Sequence, residues 1–272
     1  MNRKILIGAS LLLTVSLAYP PAFADGRAPD DPTQDKAMIT AGFLSGHPDL
    51  RFRLLGLEKR EQGKQEDAFK FFQRASYYAD KPSQAMVAEM LWNGTGVEAN
   101  KAQAYAWMDL AAERGYEGFL ELRERYWSGL DATERDQAVQ YGQDIYARFG
   151  DAASQPRIAT ALRRERKNVT GSRTGFSGNL KIFIPTPGGG EFIDASKFYD
   201  ERYWDPAKYQ QWHDSIWMKP RVATVSVGDA TKVLPQHQET RIPTVPPMQN
   251  APEPVTEDAM PEISSEGKDT QK

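Results

Sequence analysis

Between residues 50 and 115 the apolar residues fall into four runs at helical spacing, and the pattern repeats along the chain. The spacing Ala-x-x-aromatic-x-x-x-Ala occurs over residues 68–75 and again, at an offset of 36 residues, over residues 104–111. A period in the mid-thirties with two helices per unit is typical of a helical solenoid. One helix pair cannot bury its apolar face alone, so stacked pairs must share a continuous core. The residues predicted to form this repeat core are Ala68, Phe71, Ala75, Trp92, Gly94, Ala104, Trp107, Ala111, Ala112 and Gly115.

A glycine-rich loop joins the helices of the second unit, and the helix after the loop has a characteristic end. The loop reads Trp92-Asn93-Gly94-Thr95-Gly96-Val97, and the helix after Lys101 contains Ala104, Trp107 and the end Ala111-Ala112-x-x-Gly115. These residues resemble the Sel1-like repeat, a relative of the tetratricopeptide repeat. The resemblance implies an α/α superhelix and a protein-interaction role, often as an adaptor in bacterial envelopes or signalling. It implies no catalytic residues, because the family has none.

The resemblance is strong over about residues 80–120 and weaker over residues 50–80, where the loop is shorter and a serine replaces the second alanine. After Gly118 the pattern fades. We therefore predict an all-α fold, a short α/α helical-repeat solenoid with two repeats, within residues 50–167. The helices that close the array are predicted at 117–127, at about 132–149 with Asp131 as N-cap, and from Ser154 to Lys167.

The N-terminus has the three parts of a secretory signal peptide. Arg3 and Lys4 supply the positive charge, residues 5–17 are largely apolar, and Ala22-Phe23-Ala24 offers the small-x-small cleavage pattern. The apolar stretch of about 13 residues is shorter than the roughly 20 that a bilayer-spanning helix needs. An uncleaved N-terminal anchor is the alternative. The sequence predicts residues 1–24 as a signal peptide cleaved near Ala24, and hence a periplasmic or secreted protein.

Charge and cysteine content exclude several classes of function. Removing Arg3 and Lys4 with the predicted signal lowers the 34 basic residues to 32, against 37 acidic residues. A nucleic-acid-binding protein would instead show a basic excess. The chain has no cysteine, which excludes disulfides, thiol catalysis and cysteine-ligated metals. We therefore predict no nucleic-acid partner and no small-molecule cofactor.

Two segments lack the apolar residues that a core requires. Residues 234–272 contain seven prolines and no aromatic residue. Burial there cannot offset the loss of chain entropy, so we predict a disordered, proline-rich acidic tail. Residues 25–49, which begin with several aspartates and prolines, are predicted to form a flexible leader.

Residues 171–227 are predicted to form an irregular, aromatic-rich extension with one strand-like segment from Leu180 to Ile184. The aromatic residues are densest between positions 192 and 217. Two interpretations remain open. The aromatic side chains cap the open end of the solenoid, which needs such a cap, or they are exposed and bind a glycan or a protein partner. The candidate contact residues are Tyr203, Trp204, Tyr209, Trp212 and Trp217.

The remaining polar residues show no catalytic or metal-binding pattern. His47 is predicted to lie in a loop, and His213, with Asp214 beside it, is predicted to be a surface residue. A metal site needs several such ligands at suitable spacing. We therefore predict no catalytic, cofactor-binding or metal-binding residue. The basic residues 163–167 complement the dipole of their helix or, alternatively, contact a membrane surface.

The leading functional hypothesis is a periplasmic protein-interaction scaffold whose helix pairs offer a concave face to an unidentified envelope protein. The alternative is a cell-wall binder or hydrolase that uses the aromatic segment 192–217 on glycan. A third possibility is a membrane-peripheral subunit attached through its basic helix end.

Overall fold

The computed structural model describes residues 31–170, 181–186, 189–218 and 239–256. The predicted signal peptide lies outside these residues. Within them the chain is mostly helical, as predicted, with one two-stranded sheet. The elements are α1 (Lys36–Thr40), α2 (Pro48–Glu61), α3 (Gln65–Tyr77), α4 (Lys81–Asn93), α5 (Lys101–Ala111), α6 (Glu117–Ser128), α7 (Ala132–Phe149), α8 (Asp151–Thr170), β1 (Lys181–Thr186), β2 (Gly189–Asp194), α9 (Ala195–Phe198), α10 (Glu201–Trp204) and α11 (Pro206–Trp217).

Helices α2 to α6 pack in chain order, each on the one before it, whereas α7 returns to pack on α5. Helix α2 packs along α3, α3 packs on α4, and α4 packs along α5. Helix α5 also contacts α6 and packs extensively against α7, so it lies at the centre of the array. This arrangement of helix pairs is the predicted α/α solenoid, because each pair covers the apolar face of the next.

Local sequence signals set the ends of these helices. The Asp80 carboxylate accepts a hydrogen bond from the Ser83 backbone N–H and begins α4, which ends at Gly94 in the left-handed conformation (φ 67°) that glycine favours. Helix α7 begins at Ala132, and its N-cap Asp131 forms a capping box with Glu134. Helix α8 begins at Asp151, three residues before the predicted Ser154 cap. The Ser154 hydroxyl lies inside the helix and donates to the Gly150 carbonyl.

The predicted repeat-core residues lie mostly in the interior. The Trp107 ring is buried and packs against Phe149 with the ring centroids 4.7 Å apart. Trp92 is half-buried and stacks on Tyr126 at 4.2 Å. Gly94 and Gly115 both adopt positive φ where helical segments end. The other core residues are all buried: Ala68, Phe71, Ala75, Ala104, Ala111 and Ala112.

The prediction of a flexible leader over residues 25–49 is wrong for its second half. Asp35 caps α1, and a 3-10 turn over Phe43–Ser45 leads into α2. Met38 and Phe43 are buried against side chains from α8 and from the C-terminal helices α9 to α11. The few apolar residues in this stretch show no periodicity, yet contacts with distant helices stabilise the fold there.

The aromatic-rich extension packs on this N-terminal part of the array. Strands β1 and β2 pair antiparallel, with Phe183 opposite Phe192 and Ile182 opposite Ile193. Ile182 and Ile193 face inward, whereas Phe183 and Phe192 are exposed. The short helices α9 to α11 follow and pack their aromatic side chains against α2 and α8. The segment predicted to be strand-like, Leu180 to Ile184, overlaps β1 and thus belongs to the first strand of this β1–β2 pair.

The prediction of a disordered tail over residues 234–272 is wrong for residues 239–256. These residues lie against the helices, and Ile242 and Ala251 are buried. Composition pointed to disorder because the segment has no core of its own; it packs instead on a surface that the helices already provide. The rest of the predicted tail lies outside the described residues. In the part of the chain that the structure describes, no helix is both long and apolar enough to cross a membrane.

Candidate functional site

Residues 239–256, called the C-terminal segment below, lie in a groove formed by α3, α5, α6, α7 and α8. The segment contains no helix or strand, and five of its residues are proline. A cleft of about 570 Å³ remains between the start of the segment and the helices, lined by Asp109, Arg123 and Tyr146 among others. The groove therefore holds a non-helical, proline-rich peptide and leaves some space beside it.

The start of the segment contacts carboxylates of α5 and α6. The Thr240 hydroxyl donates to the Asp109 carboxylate. The Arg241 guanidinium donates two hydrogen bonds to the two carboxylate oxygens of Glu124, at 2.9 and 2.6 Å, and lies over the Trp127 ring at 4.8 Å. A bidentate arginine–carboxylate pair combined with a cation–π contact fixes both the charge and the plane of the guanidinium.

The next residue of the segment, Ile242, is buried against α7 at a glycine. A Cβ atom added to Gly142 would come within 2.3 Å of the Ile242 Cδ1 atom. Glycine in the middle of a helix costs stability, so its presence here is explained by the close approach of this side chain. Gly142 and the surrounding apolar residues thus form a pocket for one branched apolar side chain.

The middle of the segment is held through its backbone. The Met248 N–H donates to the Ala147 carbonyl at 2.6 Å, and Arg157 donates to the Met248 carbonyl at 2.7 Å. The Tyr77 hydroxyl donates to the Ala251 carbonyl at 2.7 Å. These contacts recognise peptide groups, which every residue carries, so they impose little sequence preference.

The end of the segment is anchored on α3. Arg74 donates two hydrogen bonds to one oxygen of Glu253, at 2.9 and 2.7 Å, and a third to the Thr256 hydroxyl at 2.7 Å. The Tyr78 hydroxyl donates to the other Glu253 oxygen at 3.0 Å. Arg74 itself lies over the Phe52 ring at 4.0 Å, which holds the guanidinium in place.

Comparison with protein families identifies α5, which lines the groove, and α4, which packs along it. The family model of the Sel1 repeat matches residues 81–116. Residues 81–116 form a Sel1 repeat. The match covers α4 and α5 and ends just after Gly115. Comparison with curated proteins and with solved structures gives no match. Sel1 repeats are generally protein–protein interaction modules.

Asp109 belongs to the Sel1 repeat and is the most deeply buried carboxylate of the groove. Its side chain accepts hydrogen bonds from Thr240 and from the Tyr146 hydroxyl at 2.9 Å, and the Arg123 guanidinium lies 3.7 Å away. Burial raises the pKa of Asp109, and the hydrogen bonds and the nearby arginines oppose that rise only in part. The groove therefore contains a buried acidic group that requires hydrogen-bond donors from the peptide beside it.

Glu124 follows the Sel1 repeat on α6 and behaves in the opposite way. The hydrogen bonds from Arg241 are the main reason that the pKa of Glu124 lies below its ordinary value, and Arg123 lowers it further. Glu124 is therefore an anionic receptor for a guanidinium. The sequence does not reveal this role, because the partner of Glu124 is 117 residues away.

The candidate contact residues of the aromatic extension are mostly unavailable for a ligand. Four of them bury their rings in a cluster with Met38, Phe43 and side chains of α8, so of the two interpretations left open, exposure does not apply to these four. The Trp204 indole N–H also donates to the Phe198 carbonyl at 2.6 Å. Trp217 is half-buried and stacks on Phe119. The four buried residues are Tyr203, Trp204, Tyr209 and Trp212.

His47 and His213 form part of the same packed end, and the prediction that His213 is a surface residue is wrong. His213 is buried with its Nε2 atom 3.4 Å from Asp49 Oδ2, which also accepts a hydrogen bond from the Tyr209 hydroxyl at 2.7 Å. Burial pushes the pKa of Asp49 upward, but contacts with His213, His47 and Tyr209 hold it below the ordinary value. His47 lies in the loop before α2, as predicted, but it is fully buried, and its ring forms hydrogen bonds with the Phe43 and Tyr203 carbonyls.

These buried groups do not assemble a metal site. Among the described residues, no group of three or more His, Cys, Asp or Glu side chains could hold a metal ion. The cluster joins α2 to α11 through hydrogen bonds. Its residues come from opposite ends of the chain, which is why the sequence pattern did not reveal it.

The basic residues of α8 are divided between exposed residues near its C-terminal end and a structural residue near its start. Arg163, Arg164 and Lys167 are exposed. Arg157 is instead structural, since it donates to backbone carbonyls and lies over the Tyr77 ring at 4.0 Å.

Proposed function

We propose that the chain is an exported, non-catalytic interaction scaffold of a bacterial envelope, which binds a segment of a partner protein in the groove beside its Sel1 repeat. One observation carries the proposal: the groove already holds a non-helical peptide, the C-terminal segment, through both side-chain and backbone contacts. A surface that binds one such peptide has the hydrogen-bond donors and acceptors needed to bind another. The known role of Sel1 repeats in protein–protein interaction supports the same conclusion.

The export part of the proposal is supported by the signal-peptide pattern of residues 1–24. Cell fractionation with mass measurement tests it directly. We expect a periplasmic or secreted product shortened by 24 residues, and a full-length precursor when Ala22 and Ala24 are both replaced by arginine. Full-length wild-type protein in the cytoplasmic fraction would contradict it.

The non-catalytic part is supported by the roles of the groove residues. Asp109 and Glu124 are each occupied by hydrogen bonds from the C-terminal segment, and His47 and His213 are buried at the other end of the array. The cell-wall alternative loses most of its predicted surface, because four of its five aromatic side chains are buried. Peptidoglycan sedimentation tests that alternative, and we expect the wild-type chain to remain in the supernatant.

Capture from envelope extracts tests the interaction itself. The bait is the full chain, and the matched control carries Glu124→Arg, which reverses one charge in the groove on a side chain that is 29% exposed. We expect one or more envelope proteins to be retained by the wild type and lost with Glu124→Arg. Identical retention by both baits would contradict binding in the groove.

A further inference from the structure

We infer that the groove recognises a short sequence class, a hydroxyl residue followed by arginine, a β-branched apolar residue and proline, and that the C-terminal segment competes with a partner peptide of that class. The inference rests on the proposed function and deepens it, because it names the peptide chemistry and its regulation. In this chain the sequence is Thr240-Arg241-Ile242-Pro243.

Three consecutive side chains of this sequence each have a separate receptor. Thr240 donates to Asp109, Arg241 is held by Glu124 and the Trp127 ring, and Ile242 packs on Gly142. The receptors come from three different helices, α5, α6 and α7. A surface that meets three neighbouring side chains with a carboxylate, a second carboxylate with a ring, and an apolar pocket is selective for their order.

The arginine position is the most selective of the three. The carboxylate of Glu124 meets the guanidinium with two parallel hydrogen bonds, a geometry that the single ammonium group of lysine cannot reproduce. The guanidinium also donates to the Tyr105 hydroxyl at 3.2 Å. Lysine at this position would lose the second hydrogen bond and the stacking on Trp127.

The proline that follows contributes through chain stiffness. Its ring fixes φ, and a peptide that is already restricted loses less entropy when it binds. Further along, recognition passes to backbone carbonyls held by Arg157, Tyr77 and Arg148. The specific sequence is thus short, and the residues after it need only follow the groove.

Because the C-terminal segment belongs to the same chain, it occupies the groove in competition with any free peptide. Tethering gives the segment an effective concentration on the order of millimolar. A free peptide therefore binds a chain whose groove is occupied by its own segment much more weakly than a chain whose groove is empty. A partner must therefore displace the segment, and weakening the segment must strengthen partner binding.

The test is a titration of a fluorescent synthetic peptide, residues 239–256, against the full chain, followed by anisotropy. The open chain carries Arg241→Ala and Ile242→Asp in its own segment, leaving every groove residue intact. We expect the peptide to bind the open chain at least about tenfold more tightly than the wild type. A scrambled peptide of the same composition should bind neither.

A charge exchange then assigns the site. Glu124→Arg in the open chain should weaken binding of the wild-type peptide by at least about tenfold, the loss expected for a bidentate ion pair. A peptide in which Arg241 is replaced by glutamate should bind that variant more tightly than it binds the open chain. This reciprocal gain requires contact between positions 241 and 124.

Two results would overturn the inference. Equal affinity of the peptide for the wild type and the open chain would exclude competition, and no binding to the open chain would exclude recognition. Failure of the proposed function is distinguishable from either result. A chain that binds the peptide in this manner but retains no envelope protein through Glu124 would refute the proposed function and leave the peptide site standing.

Discussion

The Sel1 repeat and the C-terminal segment are held in the molecule by opposite kinds of contact. In α5 nearly every side chain is buried, and apart from Asp109 the large buried ones are apolar or aromatic. In the C-terminal segment Ile242 is the one large apolar side chain that is buried; Arg241 and Glu253 form the ends of the attachment. The repeat is stabilised by burial, whereas the segment is positioned mainly by ion pairs and hydrogen bonds.

This difference indicates which part of the molecule a partner peptide can replace. Apolar burial is lost entirely when a core helix leaves, so the repeat is a permanent framework. Hydrogen bonds and partly exposed ion pairs are replaced by water or by another peptide at a small net cost. The C-terminal segment therefore has the energetics of a ligand, although it is part of the chain.

The largest expected effect is a loss of stability from a substitution in the core of the Sel1 repeat. Trp107→Ala removes a buried ring between α5 and α7 and should lower the free energy of unfolding by roughly 3–5 kcal/mol. Chemical denaturation followed by circular dichroism measures this loss. Tyr141→Ala, at a side chain 39% exposed on α7, is the control and should change it by less than about 0.5 kcal/mol. A loss under about 1 kcal/mol for Trp107→Ala would mean that the helix register is wrong.

A second large effect is expected at the aromatic end of the array, but confined to it. Trp204→Ala should cost about 3 kcal/mol, because it removes a buried ring and its hydrogen bond to Phe198. Amide exchange should accelerate in α9 to α11 and stay slow in α5. Equal acceleration in α5 would show that the two regions unfold as one unit. If Trp204→Ala changed sedimentation with peptidoglycan but left amide exchange in α9 to α11 slow, the result would instead support the cell-wall alternative.

A smaller change separates the segment from the repeat. Gly142→Ala should stabilise α7 by roughly 0.5–1 kcal/mol, while the new Cβ displaces Ile242. We expect faster proteolysis within residues 239–256 with no loss of thermal stability of the helices. Gly118→Ala is the matched control, because a Cβ there meets nothing within 4 Å. Equal proteolysis of the two variants would contradict the Ile242 pocket.

The smallest effect is a pH dependence at the arginine receptor. The hydrogen bonds from Arg241 lower the pKa of Glu124 in the folded chain below the ordinary value of 4.5. The contribution of the ionised Glu124 to stability is therefore fully present above pH 4.5 and is lost as the pH falls through the lowered pKa. We expect the indole NMR signal of Trp127, over which Arg241 lies, to shift in that acidic range. Glu124→Gln should abolish this shift, and a wild-type signal that is constant down to denaturation would contradict the contact.

The sequence predicted the helical repeat well because its signals are local. Ala104, Trp107 and Ala111 follow one another at helical spacing, and Gly94 ends a helix by its own conformational freedom, so each can be recognised without its neighbours in space. The aromatic end could be predicted only as an alternative between capping and exposure. Its burial depends on Met38 and Phe43, which come from a stretch that was expected to be flexible.

The groove could not be predicted, because its contacts join distant residues. Arg241 and Glu124 are 117 positions apart, and Arg74 and Thr256 are 182 apart. Composition alone favoured disorder for residues 239–256. The prolines and the lack of aromatic residues indicate that the segment has no core of its own, but they carry no information about the helical surface on which it packs. Gly142 offered a weak signal, as an unexplained glycine inside a predicted helix.

The central claim, that the C-terminal segment occupies the groove and can be displaced, is tested most directly by cysteine labelling. The chain has no native cysteine, so Ala251→Cys and Val255→Cys each introduce a single thiol, at positions 3% and 84% exposed. We predict that the thiol of the Ala251→Cys variant reacts at least about tenfold more slowly than the thiol of the Val255→Cys variant, and that adding excess peptide 239–256 reduces this difference. Equal rates for the two positions, or a difference that the peptide does not change, would contradict the claim.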